Sequence, residues 1–241
     1  MAARSKPPAT VERLTERLVD QAQAHGQEAN LVLPAAAAAS LLLGAGELHG
    51  PILRGIAALG DPVDTMLQLF DVQANCTAYL QAHLHPLTDL IKPAHRRPEI
   101  SLSLTGMFTV LAEAELPALV ETPQVAGDLL GSIYTQITSS AARSQRGAFY
   151  TPPSVAALMA MLIETRPGET WNDPCCGSGG LAIATVRAMR RGGQIPELVH
   201  WHLQDIDPTA VALAGIQLAA HGMPSVSLRC GNALTDPVDT P

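Results

Sequence analysis

Two stretches of this chain bring together residue types that can hold a ligand. The first is W-N-D-P-C-C-G-S-G-G-L-A, residues 171–182, where two adjacent cysteines abut a cluster of glycines. As sulfur chemistry, Cys175 and Cys176 would be metal ligands or a redox pair. Adjacent cysteines are poorly placed to chelate one tetrahedral ion, and the chain has no C-x-x-C pair. His200 and His202 alternate onto one face of a second strand and Cys230 ends a third, so a metal cluster is geometrically conceivable. Alternating strand histidines are more often satisfied structural residues. As a loop, G-S-G-G-L-A follows a strand and opens a helix, fitting G-x-G-x-x-A through Gly177, Gly179 and Ala182. Glycine there permits positive φ and close approach of a ligand to the backbone, and the helix start offers free N–H groups. The second stretch is L-Q-D-I-D-P, where Asp205 and Asp207 stand at a strand end and a carboxylate can accept hydrogen bonds from ribose hydroxyls. Asp207, immediately before Pro208, reads mostly as a helix cap. The pair of stretches predicts a nucleoside-containing cofactor without saying which one. The plain alternative is a tight strand-to-helix turn with nothing bound.

The elements that must position these residues follow from periodicity. Strands are predicted at E-T-W-N-D, E-L-V-H-W-H-L-Q-D and S-V-S-L-R-C-G, separated by helices over G-G-L-A-I-A-T-V-R-A-M-R-R and P-T-A-V-A-L-A-G-I-Q-L-A-A-H-G. Strands alternating with helices imply parallel crossovers and the start of a Rossmann-like, doubly wound α/β sheet. A helix opened by T-P-P precedes them, with Val155, Leu158, Met159 and Leu162 on one side. Residues 1–145 read as an α-helical N-terminal domain and 146–241 as a Rossmann-like domain. In the first, Val11, Leu14, Leu18 and Ala22 fall at helical spacing between a Thr10 cap and a Gly26 stop. Further helices are expected over 35–43, 62–84, 105–119 and 125–142.

Composition narrows the class. The 241 residues are 47% hydrophobic, 15% charged and 3% aromatic, a globular profile built on alanine and leucine. A net charge of −7 with no basic module argues against an autonomous nucleic-acid binder. The most apolar run, L-V-L-P-A-A-A-A-A-S-L-L-L-G-A-G, is too short to span a bilayer and contains Pro34 and Gly44, so no membrane association is expected. The absence of an export signal leads us to expect a cytoplasmic chain with reduced cysteines.

Residues 128–234 resemble the adenine-specific DNA methyltransferases of the type I modification-subunit kind, which use S-adenosylmethionine. The resemblance rests on D-L-L-G-S-I-Y-T-Q-I, G-A-F-Y-T-P-P-S-V-A-A-L-M, W-N-D-P-C-C-G-S-G-G-L-A-I-A, L-Q-D-I-D-P-T-A-V-A-L-A-G-I-Q-L-A-A-H-G-M and L-R-C-G-N-A-L, in that family's order. It implies that Phe149, Tyr150, Thr151 and Pro152 close over the methionine end of the cofactor. Asp173, Pro174, Cys175, Gly177, Ser178 and Gly179 would cradle its amino and carboxylate groups, Asp205 would bind the ribose, and Asn232 would hydrogen-bond the adenine. An ammonium wants a carboxylate, and a carboxylate wants N–H groups or a hydroxyl. For Asn232 a plain turn residue is the alternative.

The departure from the family lies downstream. There the next strand ends in N-P-P-Y or N-P-P-F, which holds a flipped-out adenine, and these 241 residues contain neither tetrapeptide. The expectation is a chain truncated before that motif, binding S-adenosylmethionine but unable to methylate alone, with DNA engaged through a partner or a missing C-terminal half. The outer edge of the first strand would then need cover from a second copy, a separate chain or the helical N-terminal region. Two other readings compete: a non-catalytic partner or regulator in a DNA-modification or defence system, and a nicotinamide-dinucleotide module. The last explains neither the Asp-Pro before the glycines nor F-Y-T-P.

Overall fold

In a computed structural model of the chain, residues 10–138 and 150–235 are described. The helical part comprises α1 (Val11–Gln23), α2 (Val32–Leu41), α3 (His49–Ala58), α4 (Pro62–Cys76), α5 (His85–Ile91), α6 (Pro98–Glu113), α7 (Leu116–Val120) and α8 (Leu129–Ile137). Thr10 caps α1 by accepting from the Arg13 amide, and Gly26 follows it at φ +68°. Helix α2 is the run of alanines. Ala35 to Ala39 are all fully buried, so neighbouring helices pack around it at close range.

Three predicted helices are shorter or broken. The one expected over 62–84 stops at Cys76, where Thr77 leaves the helical region and its hydroxyl accepts from the Gln73 amide at 2.7 Å. The one expected over 105–119 begins earlier, at Pro98, and breaks at Glu115, which has φ +50°. The one expected over 125–142 starts only at Leu129, because Asp128 caps it by accepting from the Gly131 amide.

Beyond residue 150 come α9 (Pro153–Leu162), β1 (Thr170–Asp173), α10 (Gly180–Arg191), β2 (His200–Asp205), α11 (Pro208–Ala220) and β3 (Val226–Cys230). The strands form one parallel three-stranded sheet in the order β1-β2-β3, with Trp171 opposite Trp201 and Leu203 opposite Leu228. Both crossover helices lie on the face carrying Trp171, Trp201 and Leu203, where Ile183, Val186 and Met189 of α10 and Ala214 and Leu218 of α11 close a core. The opposite face is polar. There His200 hydrogen-bonds the hydroxyls of Ser225 and Ser227, with its ring 4.3 Å from that of His202.

Helix α11 is buried all round, because its other side belongs to the helical core. Ala210, Ala212, Leu213 and Ile216 pack with residues of α2, α5 and α8. The helical region therefore sits over α11 and beside β3, away from the outer edge of β1. Among the described residues no strand pairs with that edge.

Helix α9 turns the opposite way from its sequence pattern. Ala156 and Ala160 pack on Leu181, Ala184 and Ala188 of α10, while Leu158, Met161 and Leu162 are 57%, 76% and 73% exposed. Small residues let two helices approach closely, and that contact sets the orientation against the larger apolar face.

Burial gives the helical core a pH dependence. His49 is buried, and its Nε2–H donates to the Ala39 carbonyl at 2.9 Å. Burial holds its pKa below the ordinary imidazole value, with the carbonyl bond opposing, and burial also lowers His83, His202 and His221. A base with a depressed folded pKa contributes stability that is full above the unfolded value of about 6.5 and lost as pH falls towards the folded one. The thermal midpoint should therefore drop on acidification through that range, and His49→Gln, which can still donate to Ala39, should flatten the drop. An unchanged slope in the variant would remove His49 from the account.

Candidate functional site

The glycine loop is tied down at successive residues. Asp173 ends β1, and its Oδ1 accepts from the Cys175 amide at 3.1 Å. The Cys176 amide donates to the Gln204 carbonyl at 2.9 Å, and the Gly177 amide to Asp205 Oδ2 at 2.8 Å, so the loop is fixed to the end of β2. Gly177 and Gly179 stand at φ +54° and +89°, in the left-handed region that favours glycine. A Cβ at Gly179 would also come within 3.2 Å of the Ala214 Cβ, which is how closely α11 approaches the start of α10.

The end of β2 is built around one carboxylate. Asp205 accepts from Gly177 through one oxygen and from the Asp207 amide, at 2.9 Å, through the other. Each oxygen keeps a further lone pair for a ligand hydroxyl. Asp207 caps α11 by accepting from the Thr209 amide at 2.9 Å, the role its place before Pro208 indicated.

No ion pair among the described residues involves Asp173 or Asp205. Burial pushes the Asp173 carboxyl above its ordinary value, and the charge of Asp205 adds to the effect. Two acids with no cationic partner among the described residues, and rimmed by backbone amides, make a place for a ligand carrying both positive charge and hydrogen-bonding hydroxyls. The sulfur atoms contribute little. Burial pushes the Cys176 thiol well up, with Asp173 and Asp205 adding to it, so it remains a neutral thiol lying 3.3 Å from the Gly177 carbonyl. Among the described residues no group of three His, Cys, Asp or Glu side chains could hold a metal ion.

The F-Y-T-P element comes to the same place through Tyr150, whose Cε1 lies 3.2 Å from where a Gly177 Cβ would stand. Burial raises the Tyr150 hydroxyl pKa, and Tyr134, Asp207, Asp205 and Asp128 all add to the rise. Thr151 and Pro152 are exposed at the entrance to α9, and Phe149 lies outside the described residues. Pro174 and Cys175 are exposed at the loop, and Ser178 is buried beneath it. Asn232 follows β3, exposed, with its Oδ1 accepting from the Leu234 amide at 3.0 Å, which gives that oxygen a turn role. The described site residues thus gather at the carboxyl ends of the three strands, where open α/β sheets take ligands. Sequence reasoning assigned no role to Asp128, Tyr134 and Gln217, which stand behind the loop. The D-L-L-G-S-I-Y stretch signalled two of them only as part of a motif.

These contacts rank two neighbouring substitutions. Cys176→Ala removes a small buried group and the weak thiol bond to the Gly177 carbonyl, leaves the amide ties of the loop in place, and should leave ligand affinity within about threefold. Gly177→Leu forces a side chain into the left-handed region and against Tyr150, and should weaken binding about tenfold or more. The reverse order in a binding titration would return the cysteines to consideration.

The family model described as N-6 DNA methylase matches residues 125–240. The chain is 25% identical over 197 residues to the type I restriction enzyme MjaVIII methylase subunit of Methanocaldococcus jannaschii, covering 72% of this chain and 33% of that one. It is 30% identical over 101 residues to the HindI methylase subunit of Haemophilus influenzae, covering 41% and 23%. This chain thus spans a third or less of the length of these relatives. Among solved structures, a type I restriction-modification system methyltransferase subunit from Streptococcus thermophilus superposes with a TM-score of 0.60 at 18% identity, over 96% of this chain and 61% of that one, which establishes the shared fold. With Tyr150 of the F-Y-T-P element, the glycine loop and the acid of β2 in one place and in the family's order, residues 125–240 are similar to the N-6 DNA methylases.

Proposed function

We propose that this site binds S-adenosylmethionine and that the chain is the cofactor-holding portion of an adenine-specific DNA methyltransferase of the type I modification kind. The observation that carries the reading is the Gly177 amide bonded to the Asp205 carboxylate, which joins loop and strand end into one receptor. Asp173 and the loop residues Pro174, Cys175, Gly177, Ser178 and Gly179 hold the methionine end, beneath Phe149, Tyr150, Thr151 and Pro152. Asp205 takes the ribose hydroxyls, and Asn232 the adenine through its amide nitrogen. The acidic character of the site suits the cofactor's ammonium and sulfonium charges. When bound, the cofactor supplies an activated methyl group.

The finer part of the proposal is that this chain does not methylate by itself. Its 241 residues contain no N-P-P-Y or N-P-P-F tetrapeptide with which to hold a flipped adenine. DNA is then engaged together with another segment or subunit, and the outer edge of β1 and the exposed face of α9 are where such a body, or a second copy, adds to the sheet.

Calorimetric titration of the folded chain with S-adenosylmethionine should give saturable binding; no heat from well-folded protein would reject the cofactor assignment. Incubation with labelled cofactor and unmethylated DNA should leave the DNA unlabelled, and labelled N6-methyladenine would reject the claim that the chain is inactive alone.

A further inference from the structure

We infer that α8 is a brace that positions the cofactor site, with Asp128 at its start holding the glycine loop and Tyr134 in its second turn holding the end of β2. The inference rests on the cofactor reading above for its functional consequence, but its geometry stands without it.

Asp128 faces the loop from behind. Its Oδ1 accepts from the Gln217 Nε2 at 2.8 Å and from the Ser178 hydroxyl at 3.5 Å, besides capping α8 through the Gly131 amide at 2.9 Å. Gln217 also donates to the Ser178 carbonyl at 2.7 Å, and its own oxygen accepts from the Leu130 amide at 3.3 Å. Ser178, between the two left-handed glycines, is thus gripped by both its hydroxyl and its carbonyl.

The packing is tight enough to dictate two glycines. A Cβ at Gly180 would stand 2.5 Å from Asp128 Oδ2, and one at Gly131 would overlap the Ser178 hydroxyl. Gly180 has an ordinary negative φ, so what excludes a side chain there is the carboxylate and not the backbone. Burial pushes the Asp128 carboxyl above its ordinary value, with the bonds from Gln217, Gly131 and Ser178 opposing.

Six residues further along α8, the Tyr134 hydroxyl donates to Asp207 Oδ2, on the segment whose amide holds Asp205. The Tyr134 ring also meets Tyr150 edge to face, with centroids 6.0 Å apart and an interplanar angle of 89°. One short helix therefore touches the glycine loop, the acid-bearing end of β2 and the F-Y-T-P element. Three segments far apart in sequence take their spacing from it.

The test uses the full chain, with two readouts: affinity for S-adenosylmethionine by calorimetry and amide hydrogen exchange without ligand. Asp128→Ala and Tyr134→Phe should each weaken binding about tenfold, as expected for leaving buried hydrogen-bond partners unsatisfied. Exchange should speed up locally, at 176–180 in the first variant and at 205–207 in the second. Gly180→Ala should weaken binding comparably in the wild-type background and have no added effect in Asp128→Ala, because alanine suits a helix start once the carboxylate is gone. Wild-type affinity in both Asp128→Ala and Tyr134→Phe, or a Gly180→Ala penalty that persists in full without Asp128, would overturn the brace. Should Asp128→Ala not fold, Tyr134→Phe alone decides between the same two outcomes. If the wild-type chain binds no cofactor, the cofactor reading fails by itself, and the local exchange pattern still decides the brace.

Discussion

An Asp205→Ala variant should bind S-adenosylmethionine at least about a hundredfold more weakly than the wild type, since hydrogen bonds to a charged acceptor are worth roughly 1.5–3 kcal/mol each. The substitution acts twice. It removes the acceptor for the ribose hydroxyls, and it strands two backbone amides, Gly177 of the loop and Asp207 at the approach to α11. The loop then loses its tie to β2 at the residue whose left-handed conformation most needs external support. Asp205→Asn keeps one carbonyl oxygen and can satisfy one of the two amides, so its loss should be clearly smaller. Calorimetry on both variants, with thermal unfolding as a control for folding, gives the ranking. An alanine variant that binds within about threefold of wild type would mean that the ligand does not depend on this carboxylate.

Trp201→Ala should cost about 3–5 kcal/mol of folding stability, a large fraction of the roughly 5–15 kcal/mol that holds most proteins folded. Trp201 is fully buried at the centre of the sheet. Its ring lies against Trp171 with centroids 5.3 Å apart, and its Nε1 donates to the Pro196 carbonyl at 3.2 Å. Deleting the side chain opens a cavity between both crossover helices and leaves that carbonyl without its donor. Trp201→Phe retains much of the ring contact and should cost distinctly less. Urea denaturation reads the difference, and a cost for the alanine variant below about 1 kcal/mol would show that the α10 and α11 side chains collapse into the space. The substitution should also impair cofactor binding at physiological temperature, since β2 carries Asp205 at its far end.

The parts of the fold that local chemistry dictates were legible from the residues. The three parallel strands, the left-handed glycines of the loop, the Thr10 cap and the Asp207 cap each depend on a few neighbouring residues. What escaped depends on partners far along the chain. Helix α3 holds Gly50, Pro51 and Gly55, a composition that argues against a helix, and it forms because its buried Leu53 and Ile56 pack against α6. The break at Glu115 has no glycine to announce it. In α9 the large apolar residues share one side, as the sequence pattern indicates, but contact with α10 is made by alanines. At the site, Asp205 and Gly177 could be named from sequence, whereas the hold of Asp128 and Gln217 on Ser178 spans 50 and 39 residues and has no local signature.

The double-sided burial of α11 also bears on heredity and engineering. Its Ala214 and Leu218 belong with the sheet, while Leu213 and Ile216 belong with the helical core, most of which lies before residue 125. A boundary drawn where the methylase motifs begin would therefore bisect a hydrophobic core. A fragment cut there would present α11 to water as a greasy seam, and it should aggregate even with every motif intact. Recombination or domain grafting that preserves the site must carry the helical region with it, so the piece that can be exchanged between proteins is larger than the piece that sequence motifs mark out.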